Sequence, residues 1–334
     1  MKNHRSLLAA AVALPAAGLI LAGCGSSTAS ESTEADSAAI SVVATTNVYG
    51  QIARAIGGES VEVSEIITSA AQDPHSYEPT ARDKLAISNA TLVLANGGGY
   101  DQFMDSLVSS IPEGKAGEIT LVHAVDSSPV AEESEAAGHE GESAEEHAQH
   151  AEEDSHEGHD HAAYNEHIWY DLESMGDLAD ALAESFGKAD SANAEQYQQN
   201  AASFNEGIDK LEQQLETAKL DGKRFVMTEP VPFHLLHAAG MEDATPEGLS
   251  EAIEEGEGIA PITMKKAEDL LSAGDADMLA YNVQTEGSET KALKKSAELG
   301  QIPVVDFAET IQDDSSYLEW MESNISDLAS AING

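Results

Sequence analysis

The feature that most constrains this chain is a set of short apolar runs, each closed by glycine, asparagine or a polar turn and followed by residues with helical spacing. Thr91-Leu92-Val93-Leu94-Ala95 stops at Asn96-Gly97-Gly98-Gly99 and, after Thr91, offers no polar side chain to either face. A strand of that kind must be covered on both sides, which a parallel sheet flanked by helices achieves. Ile40 to Thr46 and Val61 to Ile67 read as further strands, and Glu118 to Val122 as another. Between them, Tyr49 to Ile56, Thr80 to Asn89 and Asp101 to Ser110 have the spacing of helices. Strands alternating with helices predict parallel α/β architecture.

The pattern changes at Ser174 to Leu220, which contains no proline and sets Leu178, Leu182, Phe186, Ile208, Leu211 and Leu215 at helical spacing. One or two long helices are expected, interrupted near Gly187. Beyond Gly222 the alternation returns, with strands at Arg224 to Thr228, Asp277 to Asn282 and Ile302 to Phe307. A second α/β lobe is therefore expected, and 334 residues are enough for two domains.

Charge narrows the partners. The chain carries 61 acidic and 16 basic side chains, a formal net charge of −45. No basic face remains to neutralise phosphates, so nucleic acid is excluded as a partner and cations are the natural ones. Residues 131–161 concentrate this character: 12 acids, no Lys or Arg, and six histidines, His139, His147, His150, His156, His159 and His161. Such a segment cannot bury a core and reads as a disordered loop. Neutral imidazoles on an anionic loop suit metal collection; the plainer reading is a solvated spacer.

The N-terminus reads as an address. Lys2 and Arg5 precede the apolar run Leu7 to Leu21, which is short for a membrane span and closes on Leu21-Ala22-Gly23-Cys24. Residues 1–23 are read as a secretory signal of the lipoprotein kind, with Cys24 as the lipidated first residue of the mature chain. Cys24 is the only cysteine, so no intramolecular disulfide forms. Residues 24–39 read as a flexible tether.

Two histidines stand where α/β folds place function. His75 lies on a proline-braced turn, Asp73-Pro74-His75-Ser76-Tyr77-Glu78-Pro79-Thr80, after a strand. His167, in Asn165-Glu166-His167-Ile168-Trp169-Tyr170-Asp171, precedes a helix beside two aromatic residues. The glycines at 97–99 are also compatible with a phosphate cradle, but no Lys-Ser/Thr follows them.

Together with Thr45-Thr46-Asn47, Asn96-Gly97-Gly98 and Asp314-Ser315-Ser316-Tyr317, these segments resemble the solute-binding lipoproteins of bacterial ABC importers for zinc and manganese, of the zinc-uptake type. The resemblance spans nearly the whole mature chain. It implies an N-terminal α/β lobe over 40–173, a long rigid backbone helix over 174–221 and a C-terminal α/β lobe over 222–334. It also implies one transition metal bound between the lobes. Its first two ligands fall on His75 and His167. The third falls on Glu229, one residue nearer the strand than the usual pattern, and the fourth on Glu309, with Asp306 as fallback. Asn282 stands where many relatives carry glutamate and is read as orienting a ligand; Asp101 matches an acidic position of the family. His234 and His237, three residues apart, are an alternative metal pair or simply helix histidines.

Two imidazoles and two carboxylates suit zinc, while oxygen-rich shells also suit manganese. The histidine-rich loop tilts the expectation to Zn2+, with Mn2+ or iron as the alternative cargo. The expected protein is not an enzyme. It is lipid-anchored on the extracytoplasmic face of the bacterial membrane and delivers zinc to a permease served by a cytoplasmic ATPase. The rival in another class is a secreted zinc hydrolase, although no His-Glu-x-x-His helix is present. An adhesin is a further alternative that some relatives suggest.

Overall fold

Each apolar strand divides its side chains between two cores, which is why it has no polar face. The structure, a computed structural model, describes residues 40–116, 118–129 and 165–334. The leader 1–23, Cys24, the tether and the histidine-rich loop at 131–161 lie outside the described residues.

In the first sheet, β1 (Ile40–Thr46) lies between β2 (Val61–Ile67) and β3 (Leu92–Ala95), with β4 (Thr120–His123) beyond β3. All pairings are parallel, with Val42 opposite both Val63 and Leu92. Val42, Ala44, Leu92 and Leu94 enter a central core, whereas Val43, Val93 and Ala95 enter an outer one with Ile87, Met104 and Leu107. The period of two along a strand produces this division. Helices α1 (Asn47–Gly57), α2 (Ala81–Ser88), α3 (Gln102–Ser109) and the single turn α4 (Glu113–Ala116) connect the strands.

The second sheet repeats the plan: β5 (Arg224–Met227), β6 (Glu242–Asp243), β7 (Met278–Asn282) and β8 (Val304–Phe307) stand in the parallel order β6-β5-β7-β8. Phe225, Met227, Met278, Ala280, Val305 and Phe307 face the central core, and Val226, Leu279 and Tyr281 the outer one. Helices α7 (Phe233–Ala238), α8 (Ser250–Glu254), α9 (Pro261–Ala273), α10 (Ser288–Gly300) and α11 (Tyr317–Asn333) complete this half. The strand β6 has only two exposed residues and no periodicity to read in advance.

The stretch expected to link the lobes is a pair of packed helices, α5 (Leu172–Ala189) and α6 (Ala194–Thr217). The break falls at 190–193 rather than at Gly187, because the Asp190 carboxylate accepts bonds from Asn193 Nδ2 at 2.6 Å and Tyr197 OH at 3.0 Å. Helix α6, 24 residues and so about 36 Å long, is the element that runs along both halves. Near its start Asn200 donates to Ile56 O of α1 at 2.8 Å. Farther on, a Cβ at Gly207 would sit 2.4 Å from Leu318 Cδ1, so the missing side chain lets α11 approach closely. Its buried face, Tyr197, Ala201, Phe204, Ile208, Leu211 and Leu215, belongs to the same central core that both sheets share. Each large apolar side chain buried there contributes about 1.5–3 kcal/mol, and a core common to both halves resists their separation. No described helix is long and apolar enough to cross a membrane.

In both sheets the strand order reverses beside the first strand, at β1/β3 and at β5/β7. The crevice beyond the carboxyl ends of such strands is where open parallel sheets gather ligands. The loops after β2, β3, β5, β7 and β8 all contribute to the cleft between the halves.

Candidate metal site

The turn that presents His75 is built by Asp73, whose carboxylate accepts the His75 backbone N–H at 2.9 Å and Ser76 Oγ at 2.7 Å. The imidazole lies edge-on to the Tyr100 ring, 5.1 Å between centroids and 86° between planes. Tyr100 is aimed inward by a turn in which Gly97, Gly98 and Gly99 all have left-handed φ, 81°, 66° and 102°. Three such residues in a row demand glycine. Asp101 closes the turn by accepting Asn96 N at 2.7 Å and Gly97 N at 2.8 Å, and burial pushes its carboxyl up to about 6. This explains the glycine run structurally and gives Asp101 a turn-closing role away from any phosphate.

His167 is buried against Trp169, 5.0 Å between ring centroids, and burial lowers its pKa below the ordinary histidine value. Its ring is fixed by Asn165, whose Oδ1 lies 2.6 Å from Nδ1 and accepts the His167 backbone N–H at 3.0 Å. The Asn165 amide is itself oriented, because Nδ2 donates to Pro230 O at 2.7 Å. The oxygen therefore faces Nδ1, the proton sits on Nδ1, and Nε2 presents its lone pair to the cleft. A partner on the far nitrogen is the usual device for setting the tautomer of a metal-binding histidine.

The lone pair meets carboxylates. One ring nitrogen each of His75 and His167 and an oxygen of Glu254 lie within 4.8 Å of one another. Glu254 Oε1 is 3.1 Å from His167 Nε2 and 3.9 Å from His75 Nε2, while Glu166 Oε1 is 3.9 Å from His75 Nε2. Donors bound at about 2.0–2.1 Å around a tetrahedral ion stand roughly 3.3 Å apart, so small adjustments bring this trio to bonding geometry.

Glu229 and Glu309 lie deeper, both buried, and are tied together by Asn282, whose Nδ2 donates to Glu309 Oε1 at 2.9 Å and also to Glu229 Oε2. Thr285 donates to the other oxygen of Glu229, and Tyr100 OH donates to Glu309 Oε2 at 3.2 Å. Burial raises Glu229 to about 7 and raises Glu309 as well. Burial favours the protonated form of each carboxylate, and a bound cation favours the charged form. Glu309 acts electrostatically on His167, and Glu229 on Glu254, so the four groups share one field. Asn282 thus bridges both carboxylates by hydrogen bonds. Gln284 supports the last loop: its Oε1 accepts Glu309 N at 2.8 Å and Thr310 N at 2.9 Å.

Other expectations change. Asp306 is not in the cleft; Val305 and Phe307 face the central core, so the residue between them points outward, where it is exposed and 3.9 Å from Lys294 Nζ. His234 and His237 take different partners. His234 is buried with Nε2 2.9 Å from Asn165 O, whereas His237 is exposed and stacked on Phe233. The six histidines expected to collect metal, His139, His147, His150, His156, His159 and His161, lie outside the described residues. Among the described residues, the donors that converge are therefore grouped without them, around His75 and His167. Glu254 was not legible beforehand, because Glu251, Glu254, Glu255 and Glu257 form one acidic stretch with nothing to single out a member. Tyr100, directly after the glycine turn, had a signal in that turn.

Residues 42–331 match the family model described as zinc-uptake complex component A, periplasmic. The manganese-binding lipoprotein MntA of Halalkalibacterium halodurans is 22% identical over 328 residues, covering 94% of this chain and 95% of the relative. The manganese ABC transporter substrate-binding lipoprotein PsaA of Streptococcus pneumoniae is 25% identical over 341 residues, covering 100% of both chains. Among solved structures, the periplasmic zinc-binding protein TroA of Treponema pallidum superposes with a TM-score of 0.66 at 17% identity, over 87% of this chain and 98% of that one. At that identity the likeness bears on the fold, two lobes each built on a parallel sheet.

Proposed function

The chain belongs to the zinc-uptake complex component A family, the metal-binding components of ABC importers, and from that premise we propose that its cargo is zinc. In this reading His75 and His167 hold the ion with Glu229 and Glu309, and Asn282 and Asn165 orient the donors. The observation that supports it is the convergence of two imidazole nitrogens, one with its tautomer fixed by Asn165, on a carboxylate-lined cleft. Imidazole and carboxylate together suit zinc, and anionic oxygens offset its charge. His139, His147, His150, His156, His159 and His161 act as an accessory collector that raises the local zinc concentration; this part of the reading is supported by their enrichment in the sequence alone.

Members of this family are substrate-binding proteins of ABC transporters rather than enzymes, which removes the hydrolase reading. Membership also implies a permease and an ATPase as partners. Residues 1–23 serve as leader and 24–39 as tether, with a lipid on Cys24 holding the protein at the extracytoplasmic face of the membrane. A second reading, manganese as cargo, is favoured by the number of carboxylates, since Glu166, Glu254, Glu229 and Glu309 all line the region around the histidines.

The test is metal content and competition binding on the mature chain with and without Gly138 to His161, using zinc, manganese and iron in one buffer. One tightly held zinc that manganese does not displace, retained after the deletion and lost in His75→Ala and His167→Ala, is the expected result. Preferential retention of manganese would overturn the zinc assignment.

A further inference from the structure

The structure assigns Glu254 as a metal ligand that forms a three-donor entry site with His75 and His167. This rests on reading the cleft as a metal site and adds a residue that the family resemblance did not supply.

Three observations carry it. Glu254 Oε1 stands 3.1 Å from His167 Nε2 and 3.9 Å from His75 Nε2, the spacing of donors around one ion. The lone pair on Nε2 is fixed toward that oxygen, because Nδ1 is engaged by Asn165 and the Asn165 amide is held by Pro230 O. A lone pair and a carboxylate oxygen at this distance are held together by a cation between them, a proton or a metal ion.

The deeper carboxylates are fixed in place by their neighbours. Both oxygens of Glu229 and of Glu309 are engaged by Thr285, Asn282 and Tyr100. Exposure also grades outward, from 2% for Glu229 and 7% for Glu309 to side-chain values of 13% for Glu254 and 18% for His75. An arriving ion therefore meets Glu254 and His75 before it reaches the inner pair. Glu254 ends the short helix α8 and is followed by Glu255-Gly256, where Gly256 has φ 65°, so the chain turns away directly after the donor.

With Glu254 bound, the cleft offers two nitrogens and three carboxylates. A tetrahedral zinc needs only four of these donors, whereas manganese, with lower intrinsic affinity, gains more from each added oxygen. The loss of Glu254 is thus expected to weaken manganese more than zinc.

The experiment compares full mature wild type with Glu254→Gln, Glu251→Gln and His75→Ala. Zinc and manganese affinities are read by chelator competition, and the visible spectrum of the Co2+-loaded protein reports coordination. Glu251 belongs to the same acidic stretch, is exposed, accepts from Ser250 Oγ and is not one of the converging donors, so Glu251→Gln makes the same charge change outside that group. The expected result is an affinity loss of about tenfold or more for zinc and a larger one for manganese in Glu254→Gln, with an altered Co2+ spectrum. Glu251→Gln should stay within about twofold of wild type. An unchanged Co2+ spectrum and affinity in Glu254→Gln, or an equal loss in Glu251→Gln, overturns the assignment. His75→Ala separates the two levels: if it abolishes binding while Glu254→Gln does nothing, the cleft stands and the ligand falls. If neither matters, the cleft itself is not the metal site.

Discussion

Asn165→Ala isolates the claim that one amide oxygen prepares His167 for a metal. In the native cleft Asn165 Oδ1 accepts Nδ1–H at 2.6 Å and so keeps Nε2 unprotonated. His167 is 1% exposed, so water does not replace the lost acceptor easily. After the substitution the imidazole either leaves a buried N–H unsatisfied or moves its proton to Nε2, where it blocks the ion. An unsatisfied buried donor costs about 1–3 kcal/mol, and at 1.4 kcal/mol per decade this is roughly a 5- to 150-fold loss of affinity. The range brackets the roughly 10–100-fold typical of removing a partner behind a metal-binding histidine. The assay is zinc competition against a chromophoric chelator at pH 7.5. Thermal denaturation of the metal-free variant checks that the fold is intact. Asn165→Asp keeps an acceptor oxygen for Nδ1–H, while replacing the bond to Pro230 O by an oxygen–oxygen contact and adding a negative charge that favours a cation, so it should retain more affinity than Asn165→Ala. Wild-type affinity in Asn165→Ala with the fold intact would refute the tautomer argument.

Burial raises Glu229 from 4.5 to about 7, so between those pH values the native state holds a proton that the unfolded chain does not, and metal-free stability falls as pH rises through the window. At about 1.36 kcal/mol per unit the effect is on the order of 3 kcal/mol; denaturation from pH 5 to 8 should show it as a difference between wild type and a flatter Glu229→Gln. His167, lowered by burial, has the opposite sign: its stability contribution is lost as pH falls below 6.5, and acid releases the metal. A metal affinity that is flat from pH 8 to 5 would contradict histidine ligation. Gly300→Ala should lower the melting temperature by on the order of 5 °C without altering metal affinity, because its Cβ would lie 1.9 Å from Leu271 O where α10 meets α9.

Local sequence windows determined most of the fold. The run at 91–95 had almost no polar side chain to give to solvent, and it became a parallel strand dividing its side chains between two cores, as did the runs at 40–46 and 277–282; the run at 61–67, with Glu62 and Ser64 exposed, became the edge strand. His75 and His167 were visible for a similar reason, since each stands in a distinctive short motif. The helix break was harder to place: Gly187 tolerates a helix, and the stop at 190–193 came from the bonds that Asp190 makes with Asn193 and Tyr197. What only the tertiary structure decided is which polar groups converge. Glu254 meets His75 and His167 across segments far apart in the chain, and no periodicity distinguishes it from its acidic neighbours. Asn165 became the keeper of a tautomer because Pro230 fixes its amide, and His234 Nε2 is engaged by Asn165 O. Periodicity is a property of adjacent residues and survives in the sequence; convergence is a property of how two sheets and their loops close on one another.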